Sequence, residues 1–196
     1  MLRAGTAVLV SGGGTNLQAL IDAEGRGETP HAELKLVVSN RAGAYALTRA
    51  ERAGIRAEYI ENGPEFEEKL VSLLEENGIE LIVLAGFLRI LSGEFIKRYE
   101  GRIINVHPSL IPSFCGKVFY GLRVHEAALA RGVKVTGATV HIVTEEADAG
   151  PILLQKAVDI REGDTPEILQ RRVMEEAEWI LLPRACEMTA KSITEA

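Results

Sequence analysis

The sequence predicts an α/β fold: a wound, mostly parallel sheet with helices on both faces, and antiparallel additions in the C-terminal half. Three observations support this prediction. Short apolar runs alternate with segments of helical periodicity from the start of the chain. The early runs are apolar throughout, which is typical of parallel strands buried between two helical layers. The late run at residues 135–143 instead alternates apolar with small or polar residues, which indicates an antiparallel strand.

In the first half, the predicted strands are the apolar runs, and the predicted helices are the segments whose apolar residues recur at helical spacing. Gly78 closes the third helix, and Gly86 ends the fourth strand. In chain order the elements are strand 6–10, helix 15–24, strand 33–38, helix 44–53, strand 57–60, helix 65–77 and strand 80–84.

The second half begins with an apolar strand that runs into a proline-containing segment and a glycine-bearing loop. Its predicted elements are strand 102–106, helix 123–130, strands 135–143 and 152–158, and one long helix from about 166 to 190. No internal repeat, linker or charge block interrupts the 196 residues, so we expect one domain over residues 1–196.

Composition restricts the partners. A net charge of −6 disfavours nucleic acid, because such binding depends on basic surface. No apolar run is long enough to span a membrane, and the N-terminal apolar stretch is too short for a signal peptide. Cys115 and Cys186 offer neither a metal-ligand spacing nor a disulfide framework. We therefore expect a cytoplasmic monomer or homodimer that acts on small molecules, with no nucleic-acid, membrane or metal partner.

A glycine-rich loop, SGGGTN at residues 11–16, lies between the first strand and the first helix. Its glycines let the backbone approach a phosphate at the start of a helix, which is typical of a nucleotide-binding sheet. No Lys-Ser/Thr follows it, so it is not a nucleoside-triphosphate loop. Leu17 replaces the third glycine of a dinucleotide site, so a mononucleotide or sugar phosphate fits better. The alternative is a tight turn with Thr15 or Asn16 as the helix N-cap.

Three polar residues are candidates for catalysis. Asn105 and His107 are two apart on one strand, so both side chains point to one side at the carboxyl end of the sheet. An amide and an imidazole there can polarise a carbonyl and transfer a proton. If Asp148 lies nearby, its carboxylate is expected to raise the pKa of His107 and favour the protonated form. The alternatives are a structural histidine before a proline turn and a solvated acidic loop.

The remaining histidines have weaker signals. His141 lies within an alternating strand, so we expect it in the core or supporting the site. His31 and His125 have no supporting neighbours in the sequence, and we expect both at the surface.

Together these segments resemble the glycinamide ribonucleotide transformylase family over nearly the whole chain. The matching pieces, in order, are VSGGGTNL (10–17), VSNR (38–41), LAGFLRIL (84–91), INVHPSLIP (104–112), GATVH (137–141) and DAGPI (148–152). The resemblance implies transfer of a formyl group from 10-formyltetrahydrofolate to a ribonucleotide amine through a tetrahedral intermediate, without a metal. The implied catalytic residues are Asn105, His107 and Asp148. The implied ribonucleotide-binding residues are Gly13, Gly14, Thr15, Asn16 and Glu178, and the implied folate-binding residues are Leu88, Arg89, Ile90, Leu91 and Asn105.

The sequence departs from the family at three places. Its loop after Pro112 is longer, with Cys115 where proline is common. Gly63 stands where family members often have a folate-contacting arginine. Glu178 matches the family's substrate-contacting glutamate only if one extra residue is allowed, and Ala177 matches otherwise.

Three other functions share parts of this pattern. Methionyl-tRNA formyltransferase needs a further domain and a basic surface, so it is disfavoured. A formyltetrahydrofolate hydrolase shares the reaction core. A non-catalytic sugar-phosphate-binding module would not require Asn105, His107 and Asp148 to converge.

Overall fold

The structure is a computed structural model that describes residues 2–196, in which seven strands form one sheet in the order β3-β2-β1-β4-β5-β6-β7. The strands are β1 (Ala4–Val10), β2 (Ala32–Ser39), β3 (Arg56–Tyr59), β4 (Leu81–Leu84), β5 (Ile103–His107), β6 (Val135–Ile142) and β7 (Ile152–Asp159). The first five strands are parallel, and β5, β6 and β7 pair antiparallel. The predicted fold class is confirmed.

Seven α-helices cover the sheet within the described residues. They are α1 (Thr15–Gly25), α2 (Tyr45–Arg52), α3 (Phe66–Glu76), α4 (Gly93–Arg98), α5 (Leu122–Arg131), α6 (Pro166–Val173) and α7 (Trp179–Thr194). Sequence analysis missed α4, because six residues are too few to display a helical period. Its start is marked by Ser92, whose Oγ accepts a hydrogen bond from the Phe95 backbone N–H.

The predicted long helix is interrupted. A π-helical turn at Met174–Glu178 joins α6 to α7, and α7 continues to Thr194 rather than ending near residue 190. Each residue of the turn hydrogen-bonds one position further along the chain than in an α-helix, so the turn contains one additional residue.

The hydrophobic core lies on both faces of the sheet. All seven residues of β1 are buried, and their side chains alternate between two clusters. Val8 and Val10 pack with α1, α2 and α7, whereas Leu9 packs with α3 and α4. The two clusters fix α1 and α3 on opposite faces of the sheet. No helix within residues 2–196 is both long and apolar enough to cross a membrane.

Candidate active site

The glycine loop connects β1 to α1 and packs against α2. Gly14 is the N-cap of α1 with φ 73°, and no side chain caps this helix. The predicted alternative, a cap by Thr15 or Asn16, is therefore wrong, because the left-handed backbone of Gly14 starts the helix instead. The first-turn N–H groups of a helix have no intrahelical acceptor, so α1 can donate them to an anion.

Two residues that sequence analysis missed hold this loop. Arg49 on α2 donates from Nε to the Gly13 carbonyl oxygen at 2.8 Å and from Nη1 to Gln18 Oε1 at 2.9 Å. Ser11 donates to Asn40 Oδ1 at 2.6 Å and accepts from the Leu88 N–H at 2.8 Å. Neither contact has a local sequence signal, since each joins segments distant in the chain.

A cavity of about 200 Å³ lies beside the loop. The predicted ribonucleotide-binding residues all border it: Gly13, Gly14, Thr15, Asn16 and Glu178. The other walls come from the segments after β4 and β5, the start of α5, and the π-turn.

Glu178 occupies the last position of the π-turn and contacts Asn16. Asn16 Nδ2 donates to Glu178 Oε2 at 2.6 Å, whereas Asn16 Oδ1 is buried without a partner. Burial raises the pKa of Glu178 to about 7, although the Asn16 hydrogen bond opposes the shift. Ala177 is fully buried in the hydrophobic core. The additional residue of the π-turn thus places Glu178, not Ala177, at the cavity.

Asn105, His107 and Asp148 converge at the carboxyl end of β5. Asp148 Oδ2 lies 3.6 Å from His107 Nδ1, and Asp148 Oδ1 lies 3.4 Å from His141 Nε2. Asn105 Nδ2 lies 3.1 Å from the same His141 nitrogen. Asp148 therefore contacts His107 directly and is connected to Asn105 through His141.

His141 fulfils the supporting role expected of it. Its Nδ1 lies 2.9 Å from the Ile142 carbonyl oxygen, which can only accept, so Nδ1 carries a proton. When Nε2 also carries a proton, it donates to Asp148 Oδ1 and lowers the pKa of that carboxyl. In the neutral ring that proton is absent, and Nε2 accepts from Asn105 Nδ2. This hydrogen bond orients the Asn105 amide and leaves its second N–H available to a ligand.

The protonation state expected for His107 is corrected by the structure. Burial lowers its pKa, and this effect exceeds the opposing influences of Asp148 and of the Phe114 carbonyl oxygen. Burial is also the largest single influence on Asp148 and would raise its pKa, but His141, His107 and the Gly116 N–H together hold that pKa below its usual range. The resting pair at neutral pH is therefore a neutral imidazole beside an ionised carboxylate.

The loop after β5 covers His107. The Ile111–Pro112 peptide bond is cis, and Phe114 has φ 49°. His107 Nε2 donates to the Phe114 carbonyl oxygen at 2.8 Å, and the Gly116 N–H donates to Asp148 Oδ2 at 2.8 Å. Asp148 itself has φ 56°. Left-handed backbone at two non-glycine residues beside one imidazole is strain of the kind that clusters at functional sites.

Asp148 borders a second cavity, of about 390 Å³. Leu88, Arg89 and Ile90 border it, as the prediction for a folate pocket requires, together with Phe119 and Tyr120 of the covering loop. Leu91 does not border this cavity, because its apolar side chain is buried in the cluster beneath α3 and α4.

Arg89 occupies the neighbourhood of Gly63, where an arginine was expected and is missing. Its guanidinium stacks 4.5 Å from the centre of the Phe66 ring and donates to Asn62 Oδ1 and to the Gly63 carbonyl oxygen. The guanidinium charge therefore lies at this edge of the larger cavity on a different segment of the chain.

Two histidines expected at the surface are not there. His125 is fully buried and borders the smaller cavity. His31 is partly buried, and its Nδ1 lies 2.5 Å from Glu187 Oε1. The partner of His31 and the helix α6, which packs against the α5 that carries His125, both lie far away in the chain, so local sequence did not reveal the burial of either histidine. Among residues 2–196, no group of three His, Cys, Asp or Glu side chains is arranged to hold a metal ion.

Comparison with known proteins identifies the family. A family model described as formyl transferase matches residues 5–186. The chain belongs to the formyl transferase family.

Relatives of this formyl transferase family member are similar over most of its length. Phosphoribosylglycinamide formyltransferase of Haemophilus influenzae is 41% identical over 175 residues, which are 87% of this chain and 80% of the relative. The trifunctional purine biosynthetic protein adenosine-3 of Gallus gallus is 50% identical over 189 residues, but the chain spans only 18% of its length. The structure of glycinamide ribonucleotide transformylase 1 from Symbiobacterium toebii is 40% identical with a TM-score of 0.89, covering 97% of this chain and 89% of that one.

Substitution of Gly14 tests the packing of the glycine loop in this formyl transferase family member. A Cβ at Gly14 would lie 2.6 Å from Ala46 Cβ, whereas a Cβ at Gly27, which has the same φ of 73°, meets nothing within 4 Å. We expect Gly27→Ala to lower the free energy of unfolding by about 1–2 kcal/mol through backbone strain alone. Gly14→Ala should lose roughly 1–3 kcal/mol more through overpacking. Equal losses in chemical denaturation would contradict the close contact.

Substitution of Glu178 tests its raised pKa. The carboxyl titrates near 4.5 when unfolded and near 7 in the fold, so its neutral form is favoured below pH 4.5 and the fold loses stability as pH rises through about 7. We expect Glu178→Gln to be more stable than the parent protein at pH 8, by roughly 3 kcal/mol, with the difference vanishing near pH 4. Glu175→Gln, an exposed position of the same turn, should change stability by less than about 0.5 kcal/mol at either pH. Denaturation at both pH values distinguishes the two, and a pH-independent difference for Glu178→Gln would exclude a buried titration.

Proposed function

We propose that the chain transfers the formyl group of 10-formyltetrahydrofolate to the primary amine of 5'-phosphoribosylglycinamide, a step of purine biosynthesis. The observation that carries this proposal is the convergence of Asn105, His107 and Asp148 at the end of β5, where Val106 and Pro108 border the smaller cavity and Asp148 borders the larger one. A relative that is 80% covered by the alignment and named phosphoribosylglycinamide formyltransferase supports the same assignment.

Each cavity suits one substrate. The smaller one begins at the N-terminus of α1, where backbone N–H groups and the helix dipole favour a phosphate despite the acidic composition of the chain. The larger one combines apolar side chains at Leu88, Ile90 and Phe119 with backbone polar groups, which suits a flat heteroaromatic ring. The reacting amine and formyl carbon then meet beside Asp148 and the end of β5.

Asn105 stabilises the oxygen of the tetrahedral intermediate in this mechanism. The substrate amine attacks the formyl carbon, and the carbonyl oxygen gains negative charge. The free N–H of the Asn105 amide donates to that oxygen, since the other N–H is held by His141. Collapse of the intermediate then breaks the bond between carbon and N10 of the folate.

His107 and Asp148 move the proton. Attack by the amine produces an ammonium group that must lose a proton, and N10 must gain one as it leaves. The neutral His107 imidazole accepts the first proton, and the ionised Asp148 stabilises the resulting imidazolium from 3.6 Å. The imidazolium then protonates N10, so the net reaction consumes no proton.

Single-domain organisation over residues 1–196, a cytoplasmic location and a monomeric or homodimeric state remain parts of this proposal. So does the role of 10-formyltetrahydrofolate as cosubstrate without a metal. The alternatives are a formyltetrahydrofolate hydrolase and a non-catalytic sugar-phosphate-binding module, and both are separated from the transferase by one assay.

The assay measures formation of tetrahydrofolate from 10-formyltetrahydrofolate with and without glycinamide ribonucleotide. We expect turnover only when the ribonucleotide is present, with one formylated amine for each folate released. Turnover without the ribonucleotide would indicate a hydrolase. Absence of turnover in both mixtures, with ribonucleotide binding retained, would leave the binding module.

Variants at the reaction centre should lower kcat. Asn105→Ala is expected to reduce it by about 10² to 10³, the usual effect of losing one oxyanion donor. His107→Asn is expected to reduce it by roughly 10² to 10⁴. His31→Asn replaces a histidine paired with Glu187, outside both cavities, and should leave kcat unchanged. Steady-state kinetics with saturating substrates makes the comparison, and normal turnover by either of the first two variants would refute its assigned role.

The acid limb of the pH profile tests the corrected state of His107. Because the pKa of His107 is lowered by burial, protonation removes the base only below its ordinary value of 6.5. We expect kcat/KM of the parent protein to fall as the pH decreases below 6.5. The residual kcat/KM of His107→Asn should not show this fall. A profile that instead rises toward acid pH would show that the imidazolium is the active form.

A further inference from the structure

His125 is the most unusual polar residue of the structure outside the catalytic group. It is the fourth residue of α5, is fully buried, and neither of its ring nitrogens has a hydrogen-bond partner. Buried polar groups are nearly always satisfied, and an unsatisfied one costs about 1–3 kcal/mol. A bound molecule that supplies the missing partner accounts for the retention of this imidazole.

The surroundings of His125 indicate what that molecule is. The smaller cavity is bordered by His125, by Gly14 at the N-cap of α1, and by Gly121 at the N-cap of α5. Neither helix has a side-chain cap, so the first-turn N–H groups of both helices lack a side-chain partner next to the N-cap residues that border this cavity. Two helix N-termini and an imidazole together favour a dianion over a neutral group.

We propose that the phosphate of the ribonucleotide binds between the N-termini of α1 and α5 and accepts a hydrogen bond from His125. This inference rests on the proposed function and extends it, because it assigns substrate contacts to α5 as well as to the glycine loop. It also gives a reason for glycine at position 121, the exposed last residue of the covering loop. Gly121 has φ 55° and ψ −134°, a backbone conformation that residues with a side chain disfavour, and this conformation starts α5 beside the cavity.

The charge state of His125 is compatible with this contact. Burial, together with repulsion from His107, lowers its pKa to about 4, so the ring is neutral when no ligand is bound. A neutral imidazole still has one N–H donor, which is sufficient for a phosphate oxygen. A neutral His125 ring also places no second positive charge near His107.

Replacement of His125 by leucine separates a ligand contact from a structural role. Leucine is apolar and of similar size, so it removes two unsatisfied nitrogens and is expected to leave the protein at least as stable as before. We expect the Kd for glycinamide ribonucleotide, measured by calorimetry, to increase by about 10- to 100-fold, the effect of losing one hydrogen bond to a charged group. The KM for 10-formyltetrahydrofolate should stay within about twofold. His125→Gln, which keeps an N–H donor, should recover part of the affinity.

Inorganic phosphate serves as a second probe. We expect it to compete with the ribonucleotide in the parent protein and to lose affinity in His125→Leu by a similar factor. An unchanged Kd for both ligands in His125→Leu would overturn the proposal, as would equal weakening of the folate. His31→Leu is the matched control and should change neither Kd.

The outcome is independent of the catalytic assignment. If the parent protein binds the ribonucleotide but transfers no formyl group, the proposed function fails while the His125 contact is still tested by calorimetry. If formyl transfer occurs and His125→Leu binds the ribonucleotide normally, only the His125 contact fails.

Discussion

The order of the parallel strands is the constraint on which both cavities depend. β1 and β4 are neighbours in the sheet, yet α1, which follows β1, packs on one face and α4, which follows β4, packs on the other. The chain therefore leaves these two strands in opposite directions and opens a crevice at their carboxyl ends, the usual ligand position of wound sheets. The glycine loop follows β1, the segment 87–90 that borders the larger cavity follows β4, and Asn105 and His107 end β5. The candidate site therefore lies at the carboxyl ends of the parallel strands. Its remaining groups come from the covering loop, the Asp148 loop and the π-turn.

Much of this arrangement was predictable because it is encoded by local pattern. Apolar runs and helical spacing located every strand and all but one of the helices, and residues two apart on β5 had to point the same way. The features that escaped prediction depend on distant contacts. His125 is buried by segments that the sequence places far from it. The lowered pKa of His107 follows from desolvation, whereas the sequence suggested only the neighbouring carboxylate. Arg89 donates to the Gly63 carbonyl oxygen, a contact between segments that are distant in the chain.

The site places polar groups where they weaken the fold. A carboxyl at Glu178 is buried with one hydrogen bond, Asn16 keeps an unpaired oxygen, and His125 has two unpaired nitrogens, all around one cavity. These groups are oriented before any ligand arrives, so little reorganisation is needed on binding. Ser11 of the glycine loop also connects the two cavities, because its hydroxyl donates to Asn40 and accepts from the N–H of Leu88, which borders the larger cavity.

The π-turn before α7 shows how a helix in the core can tolerate a change in chain length. One added residue in a regular α-helix rotates everything after it by about 100°, which would turn the apolar face of α7 away from the sheet. Here the widened turn absorbs that rotation within five residues, and Leu181, Leu182 and Ala185 still face the core. An insertion at this point therefore requires no compensating substitutions along α7, and it leaves the carboxylate of Glu178 at the cavity.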